Sequence, residues 1–169
     1  MKLIFVRHGE TAYNKLNKRL GWLDEPLNEV GLRQAEELAD QIEYNFDIVF
    51  SSPLKRASKT AEIIAQKFNK KVMFSEHLKE RNFGSLGGTV WKEGEKESVK
   101  YDDRPYGGES VEDVRKRLEK FIDEVRNNYA GKTVLVVTHG GIIRLMHYLY
   151  RKEETDHIIK NVSIHEFDI

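Results

Sequence analysis

Short apolar runs alternate along the chain with segments whose apolar residues recur at helical spacing. Four of the runs predict strands, at 3–6, 47–50, 71–74 and 133–138. The last run is apolar between two threonines, which is typical of a central strand in a parallel sheet. A fifth segment, 161–167, predicts an edge strand. The alternation predicts an α/β fold with a mainly parallel sheet, and 169 residues without a linker or a repeat predict a single domain over 1–169.

Four helices are expected between these strands. Asn28 is expected to cap the first helix, whose apolar face is Val30, Ala35, Leu38, Ala39 and Ile42. The second helix is expected to start with Ser52 as its N-cap and a proline at its first position. Ser110 and Asp113 form a capping-box pattern that opens the most regular helix. The segment 142–150 is apolar on nearly all sides, which predicts a buried helix.

The segment 81–108 has no regular period. It mixes glycines, charged residues and aromatic residues, and we expect it to cross the surface with one short helix. Irregular segments of this length are often functional.

Composition excludes several classes of protein. Lys and Arg total 28, and so do Asp and Glu, which argues against a basic nucleic-acid-binding protein. The absence of cysteine excludes disulfides, cysteine zinc sites and thiol catalysis. The apolar run before Arg7 is too short for a signal peptide, and no run approaches the ~18 residues of a membrane span. We therefore expect a cytoplasmic protein with no membrane partner.

Two predicted strands end in the same dipeptide. His8-Gly9 follows the strand at 3–6, and His139-Gly140 follows the strand at 133–138. Ligands of open α/β sheets bind outside the carboxyl ends of the strands, where helix N-termini favour an anion. One such histidine alone is more often a surface or core residue. Two at the ends of core strands indicate a functional site.

Charged residues extend this predicted site. Arg7 ends a strand that should be buried, so its charge needs a partner. Arg56 falls in the first turn of a helix, where a cation costs roughly 0.3–1 kcal/mol unless an anion compensates; a solvated arginine is the alternative. Glu80 by itself resembles any surface glutamate. Two histidines beside two arginines repel a divalent cation, so the set predicts a phosphate pocket with no metal.

At this point the sequence resembles a known family. Arg7 to Thr11, followed by Asn14, resembles the signature of the histidine phosphatase superfamily, in its phosphoglycerate-mutase-like branch. The likeness continues in family order through 21–27, 51–61, 80–88, 108–110 and 138–141. It implies a three-layer α/β/α sandwich, phosphoglycerate-mutase-like, with a mainly parallel central sheet. It also implies a mechanism that needs no cofactor.

The resemblance also implies residue roles. His8 is the nucleophile that becomes phosphorylated, and Glu80 is the proton donor and acceptor. Three further residues hold the phosphoryl oxygens: Arg7, Arg56 and His139. Further substrate contacts are implied at Asn14, Gly21, Arg81 and Gly140. The surrounding cations are expected to lower the pKa of His8 and to keep it neutral and nucleophilic.

The branch of the family decides the reaction. Arg81 after the acid resembles the mutases, where it helps to hold a carboxylate-bearing substrate. However, the segment between Glu80 and Gly108 is shorter than in mutases and lacks their paired arginines. The tail beyond His139 is also short, so we expect water to reach a phosphohistidine.

These features predict a phosphatase acting on a small phosphomonoester. The segment 81–108 is expected to form much of the substrate wall. A cofactor-dependent phosphoglycerate mutase is the second hypothesis, and an inactive phosphate-binding regulatory module is the third. The presence of all five core residues argues against the inactive module. The sequence leaves open the substrate and whether the protein is a monomer or a homodimer.

Overall fold

The computed structural model describes residues 1–95, 99–152 and 158–169. Its sheet has the order β3-β2-β4-β1-β5. The strands are β1 (Lys2–Arg7), β2 (Ile48–Ser51), β3 (Val72–Phe74), β4 (Thr133–Thr138) and β5 (Ile164–Asp168). The first four pair in parallel, and β5 runs antiparallel to β1. The predicted α/β fold with a mainly parallel sheet is therefore confirmed.

Helices cover both faces of this sheet. The α-helices are α1 (Ala12–Lys15), α2 (Glu29–Gln41), α3 (Lys55–Lys67), α4 (Val111–Asn128) and α5 (Gly140–Met146). Short 3₁₀ helices occupy Glu76–Leu78, Gly84–Leu86 and Arg104–Tyr106, and a π-helical turn, His147–Arg151, follows α5. No helix in the described ranges is long and apolar enough to cross a membrane.

The pleat of β1 divides the core into two layers. Leu3 and Phe5 pack with residues of α4 and α5, whereas Ile4 and Val6 pack with residues of α2 and α3. Because side chains alternate along a strand, one fully buried strand supports both layers. The predicted three-layer sandwich is confirmed.

The N-terminus of α2 differs from its predicted apolar stripe. Asn28 caps the helix as predicted and accepts a hydrogen bond from Gly31 N at 2.8 Å. Val30, however, is 39% exposed. Gly31 is buried instead. A Cβ added at Gly31 would lie 2.7 Å from Glu10 N, which is closer than such atoms approach in proteins. The helix approaches the loop after β1 at a position where no side chain fits.

The predicted start of α3 is wrong. The helix begins at Lys55 with Leu54 as its N-cap, and Ser52 is not a cap. Ser52 N donates to Val137 O at 3.0 Å, so the hydrogen bonding between β2 and β4 continues one residue past the end of β2. The helix end is stabilised instead by Asp24, whose Oδ1 accepts from Lys55 N at 2.7 Å.

Other boundaries shift by a few residues. The capping box of Ser110 and Asp113 is present. The helix predicted at 142–150 begins two residues earlier and ends as an α-helix at Met146. Tyr148, in the π-helical turn that follows, is 40% exposed. The predicted edge strand begins at Ile164, because 161–163 form a turn closed by the bond from Ser163 N to Lys160 O at 3.2 Å.

The described residues of segment 81–108 contain two short 3₁₀ helices where one short helix was expected. Residues 96–98 of this segment lie outside the described residues. Arg19 anchors part of it, donating to Val90 O at 2.9 Å and forming an ion pair with Glu95. The segment is therefore bound to the loop that follows α1.

Candidate active site

The end of β1 fixes the imidazole of His8. The residue is 2% exposed, and its backbone N–H donates to Thr138 O at 3.0 Å. Its Nδ1 lies 2.7 Å from Gly9 O. Because a carbonyl oxygen only accepts, Nδ1 carries the proton and Nε2 carries a lone pair. This tautomer makes Nε2 the nucleophilic atom of the ring.

The pKa of His8 is held well below its ordinary value of 6.5. Burial is the largest cause, and the charges of Arg56 and Arg7 add to it. The expected lowering is confirmed, although the sequence indicated the cations as its main source. A neutral imidazole at pH 7 is the form that can attack an electrophile.

Backbone carbonyls hold the two arginines beside His8. Arg56 is fully buried, and its Nη1 and Nη2 donate to Leu23 O at 2.9 Å and to Gly21 O at 2.7 Å. Gly21 adopts a φ of +54°, which glycine tolerates readily, and this backbone conformation orients the Gly21 carbonyl toward Arg56. Arg7 Nη1 donates to Ile159 O. Burial lowers the pKa of each arginine to about 10, so both stay cationic at neutral pH.

Three buried nitrogens around His8 lack a hydrogen-bond partner among the described residues. They are Arg7 Nε, Arg56 Nε and His139 Nδ1. Buried polar atoms in proteins nearly always have a partner, so each such atom needs an explanation. Two of the three belong to cationic side chains. Together they indicate a site built for an anion that supplies the missing acceptors.

His139 lies beside His8 and is fully buried. The two ring centroids are 5.2 Å apart, and His139 Nε2 lies 2.8 Å from Ser52 Oγ. The Ser52 hydroxyl also accepts from Leu54 N at 3.3 Å, which leaves its own proton available for the imidazole. Burial lowers the pKa of His139 well below its ordinary value, so this ring is also neutral.

The Glu80 carboxylate is held by two backbone N–H groups. Oε1 accepts from Arg81 N at 2.8 Å, and Oε2 accepts from Gly141 N at 3.0 Å. The carbonyl of Glu80 accepts from Trp22 Nε1 at 2.8 Å and from Arg117 Nη2 at 3.0 Å. Both the backbone and the carboxylate of this residue are thus fixed.

Arg117 is a site-supporting residue that the sequence interpretation missed. On α4, it donates to His77 O at 2.7 Å and to Lys79 O at 2.6 Å, and its Nε lies 2.8 Å from Glu109 Oε1. A signal was available, because Arg117 is three residues after Val114 and four before Phe121, which places it beside the buried face of α4. An arginine at such a position needs partners.

The guanidinium of Arg81 is largely engaged by its own surroundings. Its Nε lies 3.0 Å from Asp103 Oδ2, and the group stacks 3.7 Å from the centre of the Tyr101 ring and 4.4 Å from that of Phe83. Burial lowers the pKa of Arg81 and raises the pKa of Asp103, while the charge of each opposes the shift of the other.

Eight of the nine predicted site residues line one cleft, and the ninth, His139, packs against His8. The eight are Arg7, His8, Asn14, Gly21, Arg56, Glu80, Arg81 and Gly140. The cleft holds about 780 Å³, including space open to solvent. Lys18 and Arg144 add positive charge, and Trp91 and Ile158 contribute apolar surface. In the described part of the chain, no three His, Asp or Glu side chains are placed to hold a metal ion.

Comparisons with known proteins agree with this architecture. The family model "Histidine phosphatase superfamily (branch 1)" matches residues 3–169. A metal-independent phosphoserine phosphatase of Arabidopsis thaliana is 36% identical over 96% of this chain and 74% of its own length. A 2,3-bisphosphoglycerate-dependent phosphoglycerate mutase of Cytophaga hutchinsonii is 36% identical over 85% of this chain and 74% of its own length.

A solved structure gives the same result. A phosphoserine phosphatase mutant from Entamoeba histolytica, in complex with phosphoserine, superimposes with a TM-score of 0.84 and 31% identity. The match covers 99% of this chain and 90% of that protein. The chain therefore belongs to the histidine phosphatase superfamily, branch 1, and has the phosphatase or phosphoglycerate mutase-like activity of that superfamily.

Proposed function

We propose that this protein is a metal-independent phosphatase, which hydrolyses a small phosphomonoester through a phosphohistidine on His8. Glu80 acts as the general acid and then as the general base. The observation that carries the proposal is the setting of His8: a buried, neutral imidazole among buried nitrogens of Arg7, Arg56 and His139 that have no partner in the described residues.

The first step transfers the phosphoryl group to the protein. His8 Nε2 attacks phosphorus, forming a P–N bond, while the bond from phosphorus to the leaving oxygen breaks. Glu80 delivers a proton to that oxygen, so an alcohol departs. The equatorial oxygens accept hydrogen bonds from Arg7 and Arg56, since guanidinium groups match phosphate geometry. The Gly9 carbonyl stabilises the imidazolium through Nδ1–H.

The second step returns the free protein. Glu80, now a carboxylate, accepts a proton from a water molecule whose oxygen attacks phosphorus. The P–N bond breaks, inorganic phosphate forms, and His8 regains its neutral state. Because the same carboxylate serves both steps, its fixed position between the N–H groups of Arg81 and Gly141 supports this dual role.

The setting of Arg81 favours a phosphatase over a mutase. In the mutase hypothesis this side chain helps to hold the carboxylate of a phosphoglycerate. Here its charge is already paired with Asp103 and stacked on Tyr101. The relatives include both activities, so the distinction depends on the acceptor of the phosphoryl group, which we propose to be water.

The names of relatives supply the first substrates to test. Two of the proteins compared above are phosphoserine phosphatases, and one of them was solved with phosphoserine. The cleft of this chain contains Lys18 and Arg144 in addition to the phosphate ligands. A small phosphomonoester with a second anionic group, such as phosphoserine, is compatible with this charge.

The test is phosphate release from p-nitrophenyl phosphate and from phosphoserine, in the presence of a chelator. We expect turnover by the wild-type protein, none by His8→Ala, and normal turnover by His77→Ala, a histidine outside the cleft. An acid-labile, alkali-stable phosphoprotein should be trapped only when His8 is present. Turnover that persists in His8→Ala would overturn the mechanism.

The mutase hypothesis is tested by its product. Isomerisation of 3-phosphoglycerate, primed by a bisphosphoglycerate and faster than phosphate release, would replace the phosphatase proposal. Binding of phosphate without turnover of any of these compounds would favour the inactive module.

A further inference from the structure

The turn before β5 is hydrogen-bonded to Arg7, the last residue of β1. Val162 N donates to Arg7 O at 3.0 Å, and Arg7 N donates to Ser163 O at 3.2 Å. Val162 has a φ of +54°, which is uncommon for a β-branched residue. Such backbone positions persist where the surroundings fix them, and they cluster at functional sites.

The side chain of Asn161 in this turn bridges two parts of the cleft. Its Nδ2 donates to the backbone carbonyl of His8 at 2.9 Å and to Asn14 Oδ1 at 3.3 Å. An amide nitrogen has two hydrogens, so it can make both bonds at once. One group therefore connects the backbone of the proposed nucleophile with a predicted phosphate ligand.

This bridge completes the hydrogen bonding of the Asn14 oxygen. Asn14 Oδ1 also accepts from Thr11 N at 3.1 Å. Two donors use both acceptor positions of an amide oxygen. Asn14 lines the cleft, and its amide nitrogen, which can only donate, is thus the group left to bond an incoming phosphoryl oxygen.

We propose that Asn161 is a positioning residue for phosphoryl transfer. It acts through Asn14 and the carbonyl of His8, and it holds the donor and the nucleophile in one geometry. The inference rests on the proposed function, because it takes His8 as the nucleophile. Small errors in the placement of reacting groups are costly, so a group that fixes this placement contributes to rate without contacting the substrate.

A double-mutant cycle tests whether Asn161 acts on kcat through Asn14. Asn161→Ala should lower kcat about tenfold, since it removes two hydrogen bonds that place the reacting groups. If Asn161 acts through Asn14, the same change in an Asn14→Ala background should cost less than about threefold. Ser163→Ala is the matched control in the same turn, because its hydroxyl contacts Lys160 O and His165 Nε2, and neither residue lines the cleft. It should keep kcat within about twofold.

A second variant adds a titratable group at the same position. Asn161→Asp places a carboxylate against two oxygens, and we expect about a hundredfold loss of kcat at pH 8. Protonation restores a donor and removes the charge, so activity relative to wild type at the same pH should rise about tenfold between pH 8 and pH 5. The relative activity of Asn161→Ala should stay constant over this range.

Urea unfolding of each variant shows whether the protein is folded under the conditions of the assay. The inference is overturned by full additivity of the two alanine substitutions, or by a pH-independent ratio for Asn161→Asp. Both measurements use an enzyme whose turnover depends on His8. Turnover that is independent of His8 would instead refute the proposed function, so the two failures are distinct.

Discussion

Gly141→Ala should separate catalysis from stability. A Cβ at this position would lie 3.1 Å from Glu80 Cδ and closer than 3.0 Å to Oε1, whereas ordinary contact begins near 3.4 Å. The carboxylate must therefore move, on the order of 0.5–1 Å, and its bond to Arg81 N lengthens. Since a 1 Å misplacement can cost about 100-fold in rate, we expect kcat to fall about 10- to 100-fold.

Stability should not fall with activity. Gly141 is the second residue of α5, and alanine is favoured over glycine inside a helix by up to about 1 kcal/mol. The displaced atoms are the end of a flexible side chain, so they can move at little cost. Urea unfolding should therefore give an unchanged or slightly higher free energy of unfolding.

The assay compares an alkyl phosphate with an aryl phosphate. An alkoxide leaves poorly without a proton, so the loss of kcat should be larger for phosphoserine than for p-nitrophenyl phosphate. Gly140→Ala is a useful comparison, because its Cβ would lie 3.5 Å from the nearest atom, Arg7 Nε. It should lose less activity than Gly141→Ala.

Two results would refute this reasoning. One is full activity of Gly141→Ala with both substrates. The other appears in a Glu80→Gln background: if Gly141→Ala still lowers kcat as much there, the added methyl group acts on something other than the acid.

Three further predictions follow from the hydrogen bonds and ion pairs. Ser52→Ala removes the partner of His139 Nε2 and should lower kcat about tenfold in steady-state assays. Asp103→Ala leaves Arg81 buried without its ion-pair partner, and both side chains are only 10% exposed. The free energy of unfolding in urea should fall by about 3 kcal/mol. Burial and the neighbouring His147 lower the pKa of His165 to about 4. The unfolded chain therefore binds a proton that the folded protein does not, so stability should fall as pH drops from 6.5 toward 4. His165→Gln should weaken this dependence in thermal melts, and an unchanged slope would contradict it.

Local patterns in the sequence predicted most of the fold. Helical and strand periods extend over consecutive residues, and the capping box of α4 joins residues three apart, so a single stretch of sequence contains the whole signal. The start of α3 was mistaken because two distant partners decide it. Ser52 stays in the sheet through Val137, and Asp24 stabilises the helix end across 31 residues of sequence.

The residues of the candidate site also fall into two groups: those that local motifs predict and those that depend on distant contacts. Motifs at the carboxyl ends of β1 and β4 predicted two histidines that lie side by side in the structure, because parallel strands place those ends together. The residues that support them were not predicted. Arg117 contacts carbonyls about 40 residues away, and Asn161 contacts His8 across 153 residues. Such pairings depend on the complete packing of the chain.

The arrangement of the sheet has a consequence for engineering and divergence. The proposed nucleophile directly follows β1, which is hydrogen-bonded on both sides by β4 and β5, so the amides of β1 should be among the slowest to exchange with deuterium. Part of the cleft wall, including Arg81, Phe83 and Trp91, comes instead from the segment 81–108. Replacing that segment should therefore change which phosphomonoester is accepted while the phosphoryl-transfer chemistry stays intact, provided Arg81 keeps its N–H bond to Glu80. Related proteins with the same sheet can thus acquire different substrates through one surface segment.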